Sequence, residues 1–152
     1  MGPKANSGGS APTLRLGSGV TSMEAVYGGV GRPPMVCVVD DDDSLLRALR
    51  RLLDATGFRV ETFSSAEEFL GSDHRGRADC LVLDVHLRGL SGLDLQERLA
   101  TSGVNTPIVI ITAHDDRPTR ERAARAGAVD YLRKPFDDES LIAAIHRAIG
   151  EG

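Results

Sequence analysis

Five short apolar runs, MVCVV, FRVETF, CLVLDV, IVIIT and VDYL, recur between positions 35 and 132, and a helical pattern follows each of them. That alternation limits the fold more than any other feature of the chain. The runs have strand length, and CLVLDV (80–85) and IVIIT (108–112) are nearly continuous in apolar residues, as strands covered on both faces are. FRVETF alternates, with Phe58, Val60 and Thr62 set against Arg59 and Glu61. Between the runs, residues 44–56 place Leu45, Leu49, Leu52 and Leu53 on one helical face, and Gly57 supplies a stop. Ser65 followed by Glu68 reads as a capping box opening a helix through Phe69 and Leu70. A third helix covers 93–99 and ends by Gly103. Pro118 suits the first turn of a fourth, which runs to Ala126 with Gly127 as its cap. Asp137 or Asp138 then caps a last helix carrying Leu141, Ile142, Ile145 and Ile149. Five strands alternating with five helices predict an α/β domain: a doubly wound, five-stranded parallel sheet with helices on both faces.

In such a sheet, ligands bind at the carboxyl ends of the strands. The first run is followed by Asp40, Asp41, Asp42 and Asp43, the third ends in Asp84, the fourth in Thr112 and Ala113, and the fifth leads into Lys134 and Pro135. One rim thus collects carboxylates, a hydroxyl and an ammonium. A run of aspartates by itself reads as a solvated helix cap, but Asp84 interrupts an apolar strand. Beside Asp40 and Asp41 it sets like charges close together, which is unfavourable unless a cation intervenes. Oxygen-only ligands suit Mg²⁺. Lys134 also stands out in composition, because 16 of the 18 basic side chains are arginine and the other lysine is Lys4.

The remaining composition narrows the function. A chain of 152 residues fits one ordinary domain. The net charge of -4, with arginines scattered along the chain, offers no basic stripe for a phosphate backbone, so direct nucleic-acid binding is not expected. No run reaches the roughly 18 apolar residues of a membrane span. Cys37 and Cys80 sit inside apolar runs without metal-ligand spacing, which reads as buried thiols in a cytoplasmic protein. Residues 1–34, rich in Gly, Ser and Pro, are expected to form a flexible tail without a signal peptide's apolar region. Met23 and Met35 are alternative starts, on the hypothesis that part of the tail is a cloning or start-site artefact.

The motifs VVDDD, LVLDV, IITA and KPF, in this order at these strand ends, resemble those of response-regulator receiver domains of two-component signalling. AHDDRP followed by AGAVDYLRKPF is similar to receivers of the nitrogen-fixation regulator type. The resemblance covers 35–150 and implies the flavodoxin-like (βα)5 receiver fold with strand order 2-1-3-4-5. It implies Asp84 as phosphoacceptor, taking a phosphoryl group from a sensor histidine kinase or phosphotransfer protein in a self-catalysed reaction. It implies Mg²⁺ held by Asp41, Asp84 and the backbone carbonyl of His86, with Asp40 acting largely through metal-bound water. Lys134 would bridge Asp84 and the phosphoryl oxygens, Thr112 with Ala113 would receive a phosphoryl oxygen, and Tyr131 would rotate inward. The Lys134–Pro135 bond would be cis. The fourth helix, fifth strand and fifth helix would form the face read by an output partner, or by a second copy in a homodimer.

Such receivers often read D-x-x-M-P where this chain reads Asp84-Val85-His86-Leu87-Arg88, so the loop after the third strand should be looser. His86 and His114 occupy the two positions that tune phosphoryl lifetime in the family. Exposed loop histidines without consequence are the plainer reading; the sharper one is that their charge, which for histidine ordinarily changes between pH 5 and 8, modulates attack of water on the phosphorylated Asp84. The arginines at 117, 120, 122 and 125 form a solvated face or part of the output surface. No output domain follows the last helix, which suits a single-domain regulator or a piece of a longer transcription factor. The alternative from another class is a haloacid-dehalogenase-like, Mg²⁺-dependent phosphohydrolase, with Asp40 as nucleophile and Asp42 as its partner. A degenerate receiver acting only as a docking module is a further rival.

Overall fold

A computed structural model of the chain describes residues 32–150; the tail expected over 1–34 lies, for 1–31, outside the described residues. The elements are β1 (Met35–Val39), α1 (Asp43–Thr56), β2 (Arg59–Phe63), α2 (Ala66–Leu70), β3 (Cys80–Asp84), α3 (Gly92–Thr101), β4 (Ile108–Thr112), α4 (Arg117–Arg125), β5 (Asp130–Arg133) and α5 (Asp138–Ala148). All neighbouring strands pair in parallel, in the order β2-β1-β3-β4-β5 anticipated for the chain.

Period-two alternation along the buried strands builds two cores. Val36, Val38, Cys80, Val82, Val109 and Ile111 face α1 and α5, meeting Leu46, Leu49, Leu53, Leu141 and Ile145. Cys37, Val39, Leu81, Leu83 and Ile110 face α2, α3 and α4, meeting Phe69, Leu93, Leu95 and Leu99. The two cysteines therefore lie on opposite faces of the sheet, and burial pushes both thiols up to about 12. Helix α4 gives this core a single buried side chain, Ala123. Otherwise it is tied by Gln96 Nε2, which donates to the Ala123 carbonyl at 3.1 Å, and by Arg122, which reaches Asp94 and Glu97 at 2.9 and 2.8 Å.

Each helix begins on a short polar side chain, Asp42, Ser65, Ser91, Asp116 or Asp137, that accepts a hydrogen bond from an N–H in the first turn. Asp137, of the two candidates, caps α5. The box at α2 is displaced by one residue, because Glu68 Oε1 accepts from the N–H of Ser64 at 2.7 Å rather than from Ser65. In α1 the buried stripe is Leu46, Leu49 and Leu53, whereas Leu45 and Leu52 lie on its flanks. Both sets satisfy helical spacing, so periodicity alone could not choose between them. Strand β5 runs one residue later than expected, leaving Val129 exposed before it. Strand β2 is a sheet edge, and its Phe63 turns to the face opposite Val60, packing edge-on against Phe69 at 5.3 Å.

No helix among the described residues is long and apolar enough to cross a membrane. Because all five strands run the same way, their carboxyl ends open on one edge. Between β1 and β3 the strand order reverses direction, and in such sheets ligands bind at that point of the edge.

Candidate functional site

Asp40 follows β1 and is completely buried. Its Oδ1 accepts the N–H of Asp42 at 2.9 Å, and its Oδ2 lies 2.7 Å from Lys134 Nζ. Asp41 is half-buried, and Arg88 Nε approaches its Oδ2 at 3.7 Å. Asp84, the last residue of β3, is only 4% exposed, and its Oδ1 lies 3.5 Å from the same Lys134 ammonium. Oxygens of Asp40, Asp41 and Asp84 all fall within 4.8 Å of one another. Asp42 faces away as the α1 cap.

Two buried carboxylates, Asp40 and Asp84, share the one ammonium of Lys134, with Asp41 beside them, and the electrostatics follow from that shortage. Burial, then the neighbouring charge of Asp40, hold the Asp84 carboxyl above the usual carboxylate range, against the opposing pull of Lys134. Burial alone would lower the Lys134 ammonium, but Asp40 and Asp84 outweigh it and raise it above the ordinary lysine value. The donor set is all oxygen, unevenly exposed and over-charged, which fits a hard divalent cation such as Mg²⁺.

Around this centre, Thr112 ends β4 fully buried. Its hydroxyl donates to the His114 carbonyl and accepts the His114 N–H, both at 3.0 Å, and it lies 3.5 Å from His86 Nδ1. The exposed imidazoles of His86 and His114 meet edge to face with centroids 5.1 Å apart, and Ala113 is exposed between Thr112 and His114. The N–H of Lys134 bonds the Thr112 carbonyl at 2.7 Å, and the Lys134–Pro135 peptide is cis. Tyr131 on β5 lies partly buried against the α3 face, with its hydroxyl buried and unpartnered. The Arg120 guanidinium sits 5.8 Å from the Tyr131 ring centroid while pairing with Asp115 at 2.6 Å. The expected groups thus converge, with two differences of contact. Lys134 is nearer to Asp40 than to Asp84, and the Thr112 hydroxyl is engaged by its own loop.

Two further residues belong to this site although local sequence patterning marks neither. An ideal Cβ on Gly92 would lie 2.0 Å from the backbone oxygen of Asp84, so only glycine lets α3 start against the end of β3. Glu67 of α2 reaches the loop after Asp84 through the N–H of Leu90 at 2.9 Å. Both contacts cross between elements, where local patterning carries no signal.

Residues 36–146 match the family model described as response regulator receiver domain. The chain belongs to that family. Its receiver is similar to the response regulator protein TodT of Pseudomonas putida, 42% identical over 118 residues, covering 78% of this chain and 52% of the relative. It is 48% identical over 111 residues to nodulation protein W of Bradyrhizobium diazoefficiens, covering 73% and 49% respectively. Among solved structures the receiver is similar to FixJ-N, with a TM-score of 0.72 and 37% identity, covering 78% of this chain and 95% of that one. The chain spans about half the length of the curated relatives it matches. These matches lend no support to the phosphohydrolase alternative. Its nucleophile would be Asp40, both of whose oxygens are already engaged.

Proposed function

We propose that this receiver accepts a phosphoryl group on Asp84 from a sensor histidine kinase or phosphotransfer protein, by a Mg²⁺-dependent reaction that it catalyses on itself, and thereby switches partner binding. The observation that carries the reading is the single ammonium of Lys134 between two buried carboxylates, 2.7 Å from Asp40 and 3.5 Å from Asp84. Asp41, Asp84 and the backbone carbonyl of His86 would hold the ion, with Asp40 acting through its water. When bound, Mg²⁺ supplies positive charge to the phosphoryl oxygens and offsets the carboxylate repulsion.

The chain's own groups account for the rest. Asp84, ionised, attacks phosphorus without a general base, forming an acyl phosphate as the bond to the donor nitrogen breaks. Lys134, already placed between Asp40 and Asp84, turns its ammonium towards the new phosphoryl oxygens, where charge spreads in the loose transition state. Thr112 must exchange its bonds to His114 for one to a phosphoryl oxygen, beside the open backbone of Ala113. That exchange frees the loop after β4 and lets Tyr131, whose hydroxyl has no partner, turn inward. His86 and His114 stand at the mouth of the site and regulate access of water to the acyl phosphate. The surface of α4, β5 and α5 carries the change to an output partner or to a second copy of the chain. Longer relatives named as transcriptional regulators are in keeping with an output of that kind.

Incubation with acetyl phosphate, with and without Mg²⁺, followed by mapping of the acid-labile phosphate, tests the proposal. Label on Asp84 that requires Mg²⁺ is the expected result. Label on Asp40 with turnover of phosphate esters would replace this reading by the hydrolase.

A further inference from the structure

The loop between Asp84 and Gly92 carries the acceptor at one end and the candidate carbonyl ligand of His86 inside it, yet it lacks the proline that stiffens related loops. Its ends are pinned: the N–H of Val85 bonds the Ile111 carbonyl at 3.1 Å, and the N–H of Gly92 bonds the Val85 carbonyl at 3.0 Å. Leu87 and Leu90 also tuck into the α3-side core, whereas His86, Arg88 and Gly89 are exposed. The crest of the loop is met from outside by Glu67 Oε2, which accepts the Leu90 N–H at 2.9 Å. The neighbouring Gly89 has φ +77, in the left-handed region that favours glycine, and a Cβ there would lie 2.8 Å from that same oxygen, so the carboxylate rests directly on the crest of the loop. The interaction is strong enough to hold the Glu67 carboxyl below its ordinary range, with the Leu90 N–H as the leading cause.

We infer that Glu67 is a positioning residue for the phosphoacceptor site: its carboxylate clamps the crest of the Asp84–Gly92 loop and so holds the His86 carbonyl where a divalent ion needs it. A carboxylate accepting a backbone N–H forms a charge-assisted bond, and supporting contacts of this kind commonly govern metal affinity. The inference rests on the receiver reading given above.

Three variants test it. Glu67→Ala removes the acceptor. Glu67→Asp keeps the charge in the first turn of α2 but falls one methylene short. Glu67→Gln keeps a carbonyl acceptor at full reach. Two quantities are measured: the Mg²⁺ concentration that half-saturates phosphorylation by acetyl phosphate, and the exchange rate of the Leu90 amide hydrogen by NMR. For Ala and Asp the Mg²⁺ requirement should rise about tenfold, the low end for contacts that support metal ligands, with the rate at saturating Mg²⁺ changed less than about twofold and Leu90 exchanging faster. Gln should stay close to wild type in both. Wild-type values for Ala and Asp would overturn the clamp, and so would Gln as impaired as Ala, since charge alone would then be responsible. If Ala fails to fold, the Asp and Gln pair decides. Wild-type protein that takes no phosphoryl group on Asp84 would instead sink the receiver reading, while Leu90 exchange in the same variants still judges the clamp.

Discussion

Gly92 lies so close to Asp84 that a Cβ on it would sit 2.0 Å from that aspartate's backbone carbonyl oxygen. The obstacle is backbone, so it cannot rotate aside. Gly92→Ala should cost about 2 to 4 kcal/mol in urea unfolding, at the upper end of overpacking effects. Gly76→Ala, where nothing lies within 4 Å, serves as the control and should be near neutral. Equal stability of the two variants would show that α3 can back away from β3 freely.

The charge on Asp84 is a cost to the folded state. Its folded carboxyl lies above the unfolded one, because of burial and then Asp40, so the protonated form binds its proton more tightly when folded. The associated stability is fully present below the unfolded pKa and is lost as pH rises through the folded value. Asp84→Asn, without Mg²⁺, should therefore raise the melting temperature at neutral pH by about 2 to 5 °C. The advantage should shrink as the solution is acidified towards the carboxylate range. A variant no more stable than wild type at neutral pH would contradict this electrostatic account.

Lys134 serves two carboxylates from one small volume, 2.7 and 3.5 Å away. Arginine keeps the charge but needs a wider, planar site. Beryllofluoride with Mg²⁺ is expected to shift the Tyr131 NMR signals of the wild type; Lys134→Arg is expected to fold with stability within about 1 kcal/mol of wild type, yet to lose that shift. Intact signal shifts would mean that any cation suffices.

The two exposed imidazoles of His86 and His114, 5.1 Å apart, lie beside the buried Thr112 hydroxyl, His86 Nδ1 at 3.5 Å from it. On the proposed role of the pair in limiting access of water, replacing His86 and His114 together by alanine should measurably shorten the half-life of phosphorylated Asp84. Superimposable half-lives from about pH 5.5 to about pH 8 would end any tuning role for the pair.

Sequence made some of this site legible for a physical reason. Asp84 and Lys134 are visible because each breaks a local regularity, the one a polar end to an apolar strand and the other a lysine in an arginine-rich chain. Parallel strands then bring them to one edge without further information. Glu67, Gly89 and Gly92 act through contacts between elements, and Glu67 meets a residue 23 positions away. The choice between Leu45 and Leu46 as the inward position of α1 likewise needed the neighbouring sheet, because both fit a helical stripe.

Helix α4 has only Ala123 committed to the core, and its other ties are polar. Its outward residues are thus nearly free of the demands of folding, whereas the acceptor chemistry is written into buried strand ends. On the proposed function, a lineage could rewrite that one helix to address a different listener and leave the message itself, an acyl phosphate on Asp84, untouched.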